Sequence, residues 1–347
     1  MNVNSFSSAP PSRLLVVTTI SQQDSKQVRE LAKVLESFNL KAIVVADKKT
    51  PKWEAEESFI FLSTEEQLDL WPKLASLLPW NHYSRKNLGY LKALDFKVDS
   101  LLDTDDDNVP KSNPWNYDYH KVRSLLGSSW VNVYRLFGEK KLWPRGLPLQ
   151  YANEQVCDFR LENFPIRVDC FQSLVDGDPD IDAIGRLLYS EKVIFSEDVP
   201  VSLNESYCPT NSQATIWSSW TIPLLYLPST VSFRMTDIWR GLIVQSALRK
   251  FGGVTLFGKL GFFQERNEHN LQHDFELEVI GHLKSIKLQE ISENYWNSKD
   301  ISIDSFSLAD SLCELYQILA REDIVHFNEL AILEEWRQVV QSIIPEV

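Results

Sequence analysis

The sequence predicts an α/β fold, a central sheet covered by helices, and two kinds of segment lead to this prediction. Three continuous apolar runs rich in β-branched or aromatic residues, RLLVVTTI (13–20), KAIVVADKK (41–49) and SFIFLS (58–63), are typical of strands buried on both faces. Helical patterns separate or follow them, in SKQVRELAKVLESFN (25–39) and TEEQLDLWPKLASLL (64–78). A chain that alternates strands and helices in this way forms a sheet with helices on both faces.

The later elements are predicted in order along the chain. SRKNLGYLKALDF (84–96) predicts a helix, and Ser100–Leu102 predicts a strand that leads into an acidic segment. After a less regular stretch, MTDIWRGLIVQSALRKFGG (235–253) predicts a helix with Thr236 or Asp237 as its N-cap and a stop at its two glycines. From about residue 300, two amphipathic helices are expected to form a C-terminal helical appendage.

Composition and charge restrict the class of protein. The 347 residues carry a formal net charge of −13, which argues against a general nucleic-acid binder, because such proteins neutralise phosphates with Lys and Arg. The four cysteines show no CxxC spacing and are typical of reduced thiols in a cytosolic protein. The N-terminus lacks the apolar region of a signal peptide, and no apolar run approaches the roughly 20 residues of a membrane span. We therefore expect a cytoplasmic protein with no transmembrane segment.

The acidic segment, residues 99–107, is the sharpest functional signal, with five aspartates at a strand end. Ligands of open α/β sheets bind beyond the carboxyl ends of the strands. An EF-hand loop is excluded because its sixth and twelfth positions are Asn108 and Pro114 rather than Gly and Glu. A phosphatase nucleophile motif is disfavoured because its fifth position is Asp107 and no supporting lysine motif stands out. A solvated acidic loop and an Mg²⁺ or Mn²⁺ site that bridges to phosphate remain.

The surrounding motifs distinguish between these two interpretations. NHYSRKNLGYLKALDFKVDSLLDTDDDNVP (81–110) resembles the DxD region of the STELLO-type glycosyltransferase family, which is related to the reversibly glycosylated polypeptides, the plant UDP-arabinopyranose mutases. The resemblance continues in LWPRGLPL, LVDGDPDIDAIGRL, CPTNSQATIW and TDIWRGLIVQSAL, and spans roughly residues 13–278.

The resemblance implies a GT-A glycosyltransferase fold with a mixed central sheet. Its catalytic domain would cover 13–285, with a Rossmann-like nucleotide-binding half at 13–115 and an acceptor half at 116–285. Residues 1–12 would be a flexible N-terminus, and 286–347 the C-terminal helical appendage.

The activity implied by the resemblance is metal-dependent transfer of a sugar from a nucleotide sugar, by analogy a UDP-sugar, to a hydroxyl of a glycan or another acceptor. A divalent metal, Mn²⁺ or Mg²⁺, would stabilise the leaving diphosphate. Alternate residues of an extended chain point the same way, so Asp105 and Asp107 are expected to face one ion. By similarity, His269 is the candidate third ligand. A homo-oligomer is left open.

Further residues are assigned to the binding of the nucleotide and of the sugar or acceptor. The nucleotide and its diphosphate are assigned to Asp47, Arg85, Lys86, Asp105, Asp106 and Arg145. The sugar or acceptor is assigned to Trp143, Asp180, Asp182, Arg186 and Arg240. Structural alternatives exist for each group: a turn acid at Asp47, a solvated helix-start arginine at Arg85, and a helix N-terminus enriched in acids around Asp182.

Asp237 is the candidate general base, since inverting GT-A enzymes present a carboxylate from such a helix start to the acceptor hydroxyl. The alternative is that it only caps the helix. Two other functions stay open, a UDP-sugar mutase and a non-catalytic scaffold of the same fold. The mutases carry a glycosylated arginine shortly after their WPRG-type motif, whereas this chain has no arginine between Gly146 and Arg160. That difference disfavours the mutase.

Overall fold

The computed structural model describes residues 11–154, 158–189, 191–196, 198–265 and 270–344. Within these ranges the strands join in one mixed sheet with the order β3-β2-β1-β4-β10-β8-β11-β9-β6-β7, and β5 pairs with β11. The strands are β1 (Arg13–Thr18), β2 (Lys41–Val45), β3 (Phe59–Leu62), β4 (Ser100–Thr104), β5 (Val109–Pro110), β6 (Lys121–Leu125), β7 (Phe159–Asn163), β8 (Cys170–Gly177), β9 (Val201–Ser202), β10 (Ala214–Ser218) and β11 (Thr255–Gln264).

The described helices lie mainly on the two faces of this sheet. They are α1 (Lys26–Phe38), α2 (Thr64–Leu70), α3 (Pro72–Leu77), α4 (Asn87–Asp95), α5 (Ala183–Leu188), α6 (Thr236–Lys250), α7 (Leu271–Ser298), α8 (Ser305–Arg321) and α9 (Glu329–Ile343). Short 3₁₀ turns occur at Tyr83–Lys86, Val133–Phe137, Leu149–Tyr151 and Ser219–Leu224. The expected α/β class is confirmed.

The first strands are buried on both faces, as their apolar runs predict. In β1, Leu14 and Val16 pack into one hydrophobic core, whereas Leu15 and Val17 pack into a second core on the opposite face. This alternation follows from the two-residue period of a strand. Helix α4 lies close to the first face because Gly89 has no side chain, and a Cβ there would come within 2.5 Å of Val16 Cγ1.

The C-terminal helices belong to the main core. Helix α7 runs through residue 285, where the sequence suggested a boundary, and packs along α6. Trp296 and Trp336 share one hydrophobic core with β1 and α6. At the start of α9, the buried Glu329 carboxylate accepts hydrogen bonds from the Tyr226 hydroxyl and from the backbone N–H of Ser229 and Thr230. The C-terminal helices therefore share the core of the sheet and hold the segment that leads into α6.

The carboxyl ends of β1, β4, β8 and β11, like those of β2 and β3, lie at the same edge of the sheet. β1 and β4 pair in parallel, as do β8 and β11, and β10 runs antiparallel to both β4 and β8. The segments that follow β1, β4, β8 and β11 therefore meet at this carboxyl edge, where α/β sheets bind ligands. In the described ranges, no helix combines the length and apolar character needed to cross a membrane.

Candidate active site

The strand that carries the acidic segment ends over a buried ion cluster. Asp103, the fourth residue of β4, is fully buried and lies 2.7 Å from Lys86 Nζ and 2.9 Å from Arg240 Nη2. The Tyr90 hydroxyl donates a third contact to it at 2.8 Å. A buried carboxylate is stable only when it is paired and hydrogen-bonded in this way. Asp103 therefore shapes the strand end, with both cations beneath the acidic segment.

The three aspartates after β4 point in two directions. Asp105 and Asp107 line a cleft at the carboxyl edge. Asp106 turns away and accepts hydrogen bonds from the hydroxyls of Thr19 and Ser21, just after β1. The three side chains alternate in direction as expected, but the chain here is not extended. The backbone instead forms a turn in which the Asn108 N–H donates to the Asp105 carbonyl at 3.2 Å. Through their two hydrogen bonds to Asp106, Thr19 and Ser21 hold that turn against the segment that follows β1.

Asp105 carries the most informative electrostatics of the cleft. Its Oδ1 accepts a hydrogen bond from the Tyr83 hydroxyl at 2.9 Å and lies 3.5 Å from Lys86 Nζ. Burial raises the pKa of Asp105 to about 7, Lys86 opposes this rise, and the neighbouring Asp107 carboxylate adds to it. About one third of the side chain (34%) is open to the cleft, so solvent screens part of this effect. Ionising Asp105 beside a second carboxylate costs free energy, and a bound cation would offset that cost. The pair therefore suits a site that a cation completes.

The opposite wall of the cleft is organised by Arg145. Its Nε and Nη2 donate to the Asp180 carboxylate at 3.0 and 2.7 Å, and its Nη1 and Nη2 donate to the Asp237 carboxylate at 3.1 and 2.9 Å. The remaining Nη1 hydrogen is directed at the Arg234 carbonyl. A guanidinium has five N–H donors, and all five are used here. Arg145 thus lines the cleft but has no donor left for a diphosphate.

Asp237 lies in the first turn of α6, not at its N-cap. The N-cap is Met235, without a side-chain hydrogen bond, so the predicted cap at Thr236 or Asp237 is wrong. Besides Arg145, the Asp237 carboxylate accepts the backbone N–H of Ser212 at 3.2 Å and of Ile238 at 3.0 Å. The Asp237 carboxylate does not cap the helix, because it forms a long-range ion pair with Arg145 instead. Asp237 therefore reaches the cleft with four hydrogen bonds already made.

The cleft combines residues from both expected halves. It is open on one side and encloses about 190 Å³. The first, residues 13–115, contributes Tyr83, Asp105 and Asp107, and the second, residues 116–285, contributes Arg145, Asp180, Gln213, Phe233, Arg234, Asp237 and Gln264. Gln264, at the end of β11, donates to Asp107 at 3.0 Å and so joins the two walls.

Two residues assigned to the nucleotide make their contacts inside the protein. The buried guanidinium of Arg85 donates to Gln67 Oε1 and to the Ala75 and Leu78 carbonyls, and it stacks 3.6 Å over the Trp80 ring. The structure does not bring it to the cleft. The Asp47 carboxylate likewise accepts backbone N–H groups, from Lys48, Asn81 and His82. A third, Lys86, is buried under Asp105, and its ammonium contacts Asp103 and Asp105 rather than the open cleft.

The residues assigned to the sugar divide in the same way. Asp180 lines the cleft, whereas Trp143, Asp182, Arg186 and Arg240 do not. Trp143 Nε1 donates to Asp182 at 2.7 Å, and Asp182 caps α5 through the Gly185 N–H, as the structural alternative predicted. Arg186 donates to the Pro179 carbonyl at 2.7 Å, and Arg240 pairs with Asp103. His269 lies outside the described residues.

The sequence reasoning missed several residues that line the cleft. Tyr83, Gln213, Phe233 and Arg234 were not assigned roles, although Tyr83 and Gln213 lie inside motifs that carry the family resemblance. Arg234 forms a buried ion pair with Glu278 of α7, with Nη2 at 2.7 Å from Oε1. No pattern in the sequence marks Phe233 or Arg234, because the segment before α6 has no regular period.

The acidic end of the cleft is the candidate metal site. Among the described residues, no three His, Cys, Asp or Glu side chains are grouped as metal ligands. Asp105 and Asp107 form a pair on one wall of the cleft. Mg²⁺ and Mn²⁺ are commonly held by one or two carboxylates, with substrate phosphates and water completing the shell. The pair therefore fits a cation that is shared with a bound phosphate.

Fold and site together define a mixed α/β protein with an acidic cleft at the carboxyl edge of its sheet. The chain is distantly homologous to two proteins of Arabidopsis thaliana, the probable glycosyltransferases STELLO1 and STELLO2. It is 27% identical to STELLO1 over 350 residues, which covers 87% of this chain and 44% of STELLO1. It is 27% identical to STELLO2 over 264 residues, covering 69% and 34%. The chain thus spans less than half the length of these relatives, and no protein-family profile matches it.

Proposed function

We propose that this protein is a metal-dependent glycosyltransferase of the GT-A type, which moves a sugar from a nucleotide sugar, a UDP-sugar by analogy, to an acceptor hydroxyl. The observation that carries the proposal is the pair Asp105 and Asp107, which follows β4 at the carboxyl edge and lines a cleft together with residues of the second half. The distant homology to two probable glycosyltransferases supports the same reaction class.

Asp105 and Asp107 are the residues that would hold Mn²⁺ or Mg²⁺. When bound, such a cation supplies electrostatic stabilisation of the leaving diphosphate. The chain prepares its ligands: the Tyr83 hydroxyl fixes the orientation of Asp105, and the Lys86 ammonium favours its ionised form. The pKa of the Tyr83 hydroxyl is itself raised by burial, so this hydroxyl stays protonated and keeps donating.

Asp237 stays the predicted base for the acceptor hydroxyl. It lines the cleft and is held rigidly by Arg145, so its position relative to a bound acceptor is fixed in advance. Its four hydrogen bonds occupy both carboxylate oxygens. To accept a proton, Asp237 must therefore release one of these donors, and the Arg145 guanidinium would then orient the protonated acid.

The metal role is tested by calorimetric titration of UDP with and without Mn²⁺. Wild-type protein should bind UDP in the presence of Mn²⁺, and binding should be largely lost in EDTA or in Asp107→Asn. The matched control is Asp118→Asn, because the Asp118 side chain is 92% exposed and carries no contact to the cleft. UDP affinity in Asp107→Asn equal to that of the control would exclude the metal role.

A further inference from the structure

Strand β7 forms an open edge of the central sheet. Within the described ranges it pairs with β6 alone and stands at the end of the strand order. All five of its residues are exposed, among them Phe159 at 47% and Leu161 at 58%, whereas β3 at the other end of the order has no exposed residue. An exposed edge strand presents a row of backbone N–H and C=O groups to which another strand can bind.

Two hydrogen bonds fix which backbone groups face this edge. The Leu126 N–H donates to the Asp158 carbonyl at 2.8 Å, and the Phe164 N–H donates to the His120 carbonyl at 2.9 Å. In an antiparallel ladder, successive residues bond alternately to one neighbouring strand and to the other side. The even-numbered residues of this segment therefore bond to β6, and the outer edge receives the backbone groups of Phe159, Leu161 and Asn163.

The side chains of β7 are complementary to a second copy of the same strand. When two copies pair antiparallel about Leu161, Arg160 of each lies opposite Glu162 of the other, at the closely spaced positions that are not hydrogen-bonded. Both side chains are exposed, at 68% and 44%, and opposite charges in such positions attract. On the other face, Leu161 meets its own counterpart with Phe159 diagonal to it, so exposed apolar side chains cover one another.

The charges favour this register over its neighbours. A shift that keeps the backbone hydrogen bonds in phase places Arg160 opposite Arg160 of the copy, or Glu162 opposite Glu162. Like charges directly opposite one another are destabilising. Charged side chains on an edge strand commonly oppose association. In β7 the two signs lie symmetrically about Leu161, and they favour association with a second copy.

We propose that β7 is a self-association surface on which two copies of this chain pair antiparallel about Leu161, so that their sheets become continuous. The inference is independent of the proposed transferase function, because β7 contributes no residue to the described lining of the cleft. One five-residue strand edge is smaller than a standard interface, so the dimer is expected to be weak, with a Kd of roughly 10⁻⁶–10⁻⁴ M.

Sedimentation equilibrium of the full chain measures the association. The average mass should rise from 40.1 kDa towards twice that value as the protein concentration rises from about 1 to 200 µM. Leu161→Pro should stay a monomer, because proline removes an N–H that faces the outer edge and leaves the hydrogen bonds to β6 intact. Circular dichroism checks that this variant is folded, and if it is not, the charge variants below decide alone.

Charge reversal tests the register. Arg160→Glu and Glu162→Arg, each alone, place like charges opposite one another and should weaken the dimer by about tenfold. Mixed in equal amounts, the two variants should form a heterodimer, because the two acids of one chain then face the two bases of the other. Arg29→Glu is the matched control and should dimerise like the wild type, since Arg29 is 64% exposed and its ion pair with Asp24, at 3.6 Å, lies on α1.

Each outcome decides the proposal. A dimer that each single charge reversal weakens and that the mixture restores supports it. A wild type that stays at 40.1 kDa up to about 200 µM refutes it, and a strand of a different protein is then the remaining occupant of the edge. A dimer that persists in a folded Leu161→Pro lies on another surface, and a mixture of the two charge variants that stays monomeric excludes the antiparallel register. Both of these results refute the proposal.

Discussion

Arg145 and Asp237, 92 residues apart in the sequence, form a two-pronged ion pair in which Nη1 and Nη2 each donate to a different carboxylate oxygen, at 3.1 and 2.9 Å. The same guanidinium grips Asp180 on its other side. One buried cation therefore fixes two acids that line the cleft. The arginine that the sequence assigned to a diphosphate lies at the centre of this wall of the cleft.

Replacing Arg145 should destabilise the fold. Arg145→Met leaves Asp180 and Asp237 buried without their cation, and breaking a buried pair in this way costs about 3–5 kcal/mol of unfolding free energy. Urea denaturation measures the loss. Arg160→Met, at a side chain that is 68% exposed, is the control and should change stability by less than about 0.5 kcal/mol. An unchanged midpoint in Arg145→Met would contradict the buried-pair description.

Asp237→Asn should lower both turnover and stability. The amide cannot accept the acceptor's proton, so a base at this position predicts a rate loss of about 10²–10⁴. The amide also loses charge-assisted hydrogen bonds to Arg145, which lowers unfolding free energy by about 1.5–3 kcal/mol. UDP affinity should be retained, because the diphosphate is assigned to the opposite wall.

Three measurements on Asp237→Asn separate the roles: turnover, UDP affinity and the denaturation midpoint. The exposed Asp300→Asn serves as control for all three. Normal turnover in a folded but destabilised Asp237→Asn would leave Asp237 with a positioning role only. Loss of UDP binding would mean that the diphosphate also contacts this wall.

Metal binding should strengthen as pH rises from 6 to 8. The pKa of Asp105 is raised by burial from 3.8 to about 7, so below neutral pH a proton competes with the cation for this carboxylate. Without metal, the stability of the fold has the opposite pH dependence. The folded state binds the proton of Asp105 more tightly than the unfolded state does, so the contribution of Asp105 to the free energy of unfolding falls as pH rises from about 4 to 7.

The pH dependence is measured by titrating Mn²⁺ at pH 6 and pH 8 in two buffers of different ionisation enthalpy. Affinity should be roughly tenfold higher at pH 8, with proton release at pH 6. Asp105→Asn should abolish tight binding at both values. Equal affinity at pH 6 and pH 8 in the wild type would contradict the raised pKa of Asp105, and Mn²⁺ binding that survives in Asp105→Asn would show that Asp105 is not a ligand.

No stable glycosyl-arginine adduct should form. The chain has no arginine between Gly146 and Arg160, and the arginines among the described lining residues, Arg145 and Arg234, are held in ion pairs with carboxylates. Intact-mass spectrometry after incubation with UDP-sugars and Mn²⁺ should therefore show an unchanged mass. An increment of one hexose or one pentose would favour the mutase instead.

The sequence predicted those features that depend on local patterns. The buried strands were predicted because Leu14–Val17 are apolar without interruption, and the acid pair because it directly follows such a strand. The failures involve long-range partners. Asp237 resembles an N-cap locally, but Arg145 reaches its carboxylate. Arg85 resembles an exposed helix-start cation, but Gln67 and two carbonyls bind it inside the protein. Residue type alone does not reveal such a partner.

The contact between Glu329 and the backbone at Ser229 and Thr230 joins the last described helix to the loop that leads to Phe233 and Arg234. The geometry of this rim is thus encoded partly about one hundred residues downstream. A substitution at Glu329 would shift the rim while every described residue of the lining keeps its identity. The shape of the cleft therefore depends on a helix that contributes no residue to its described lining.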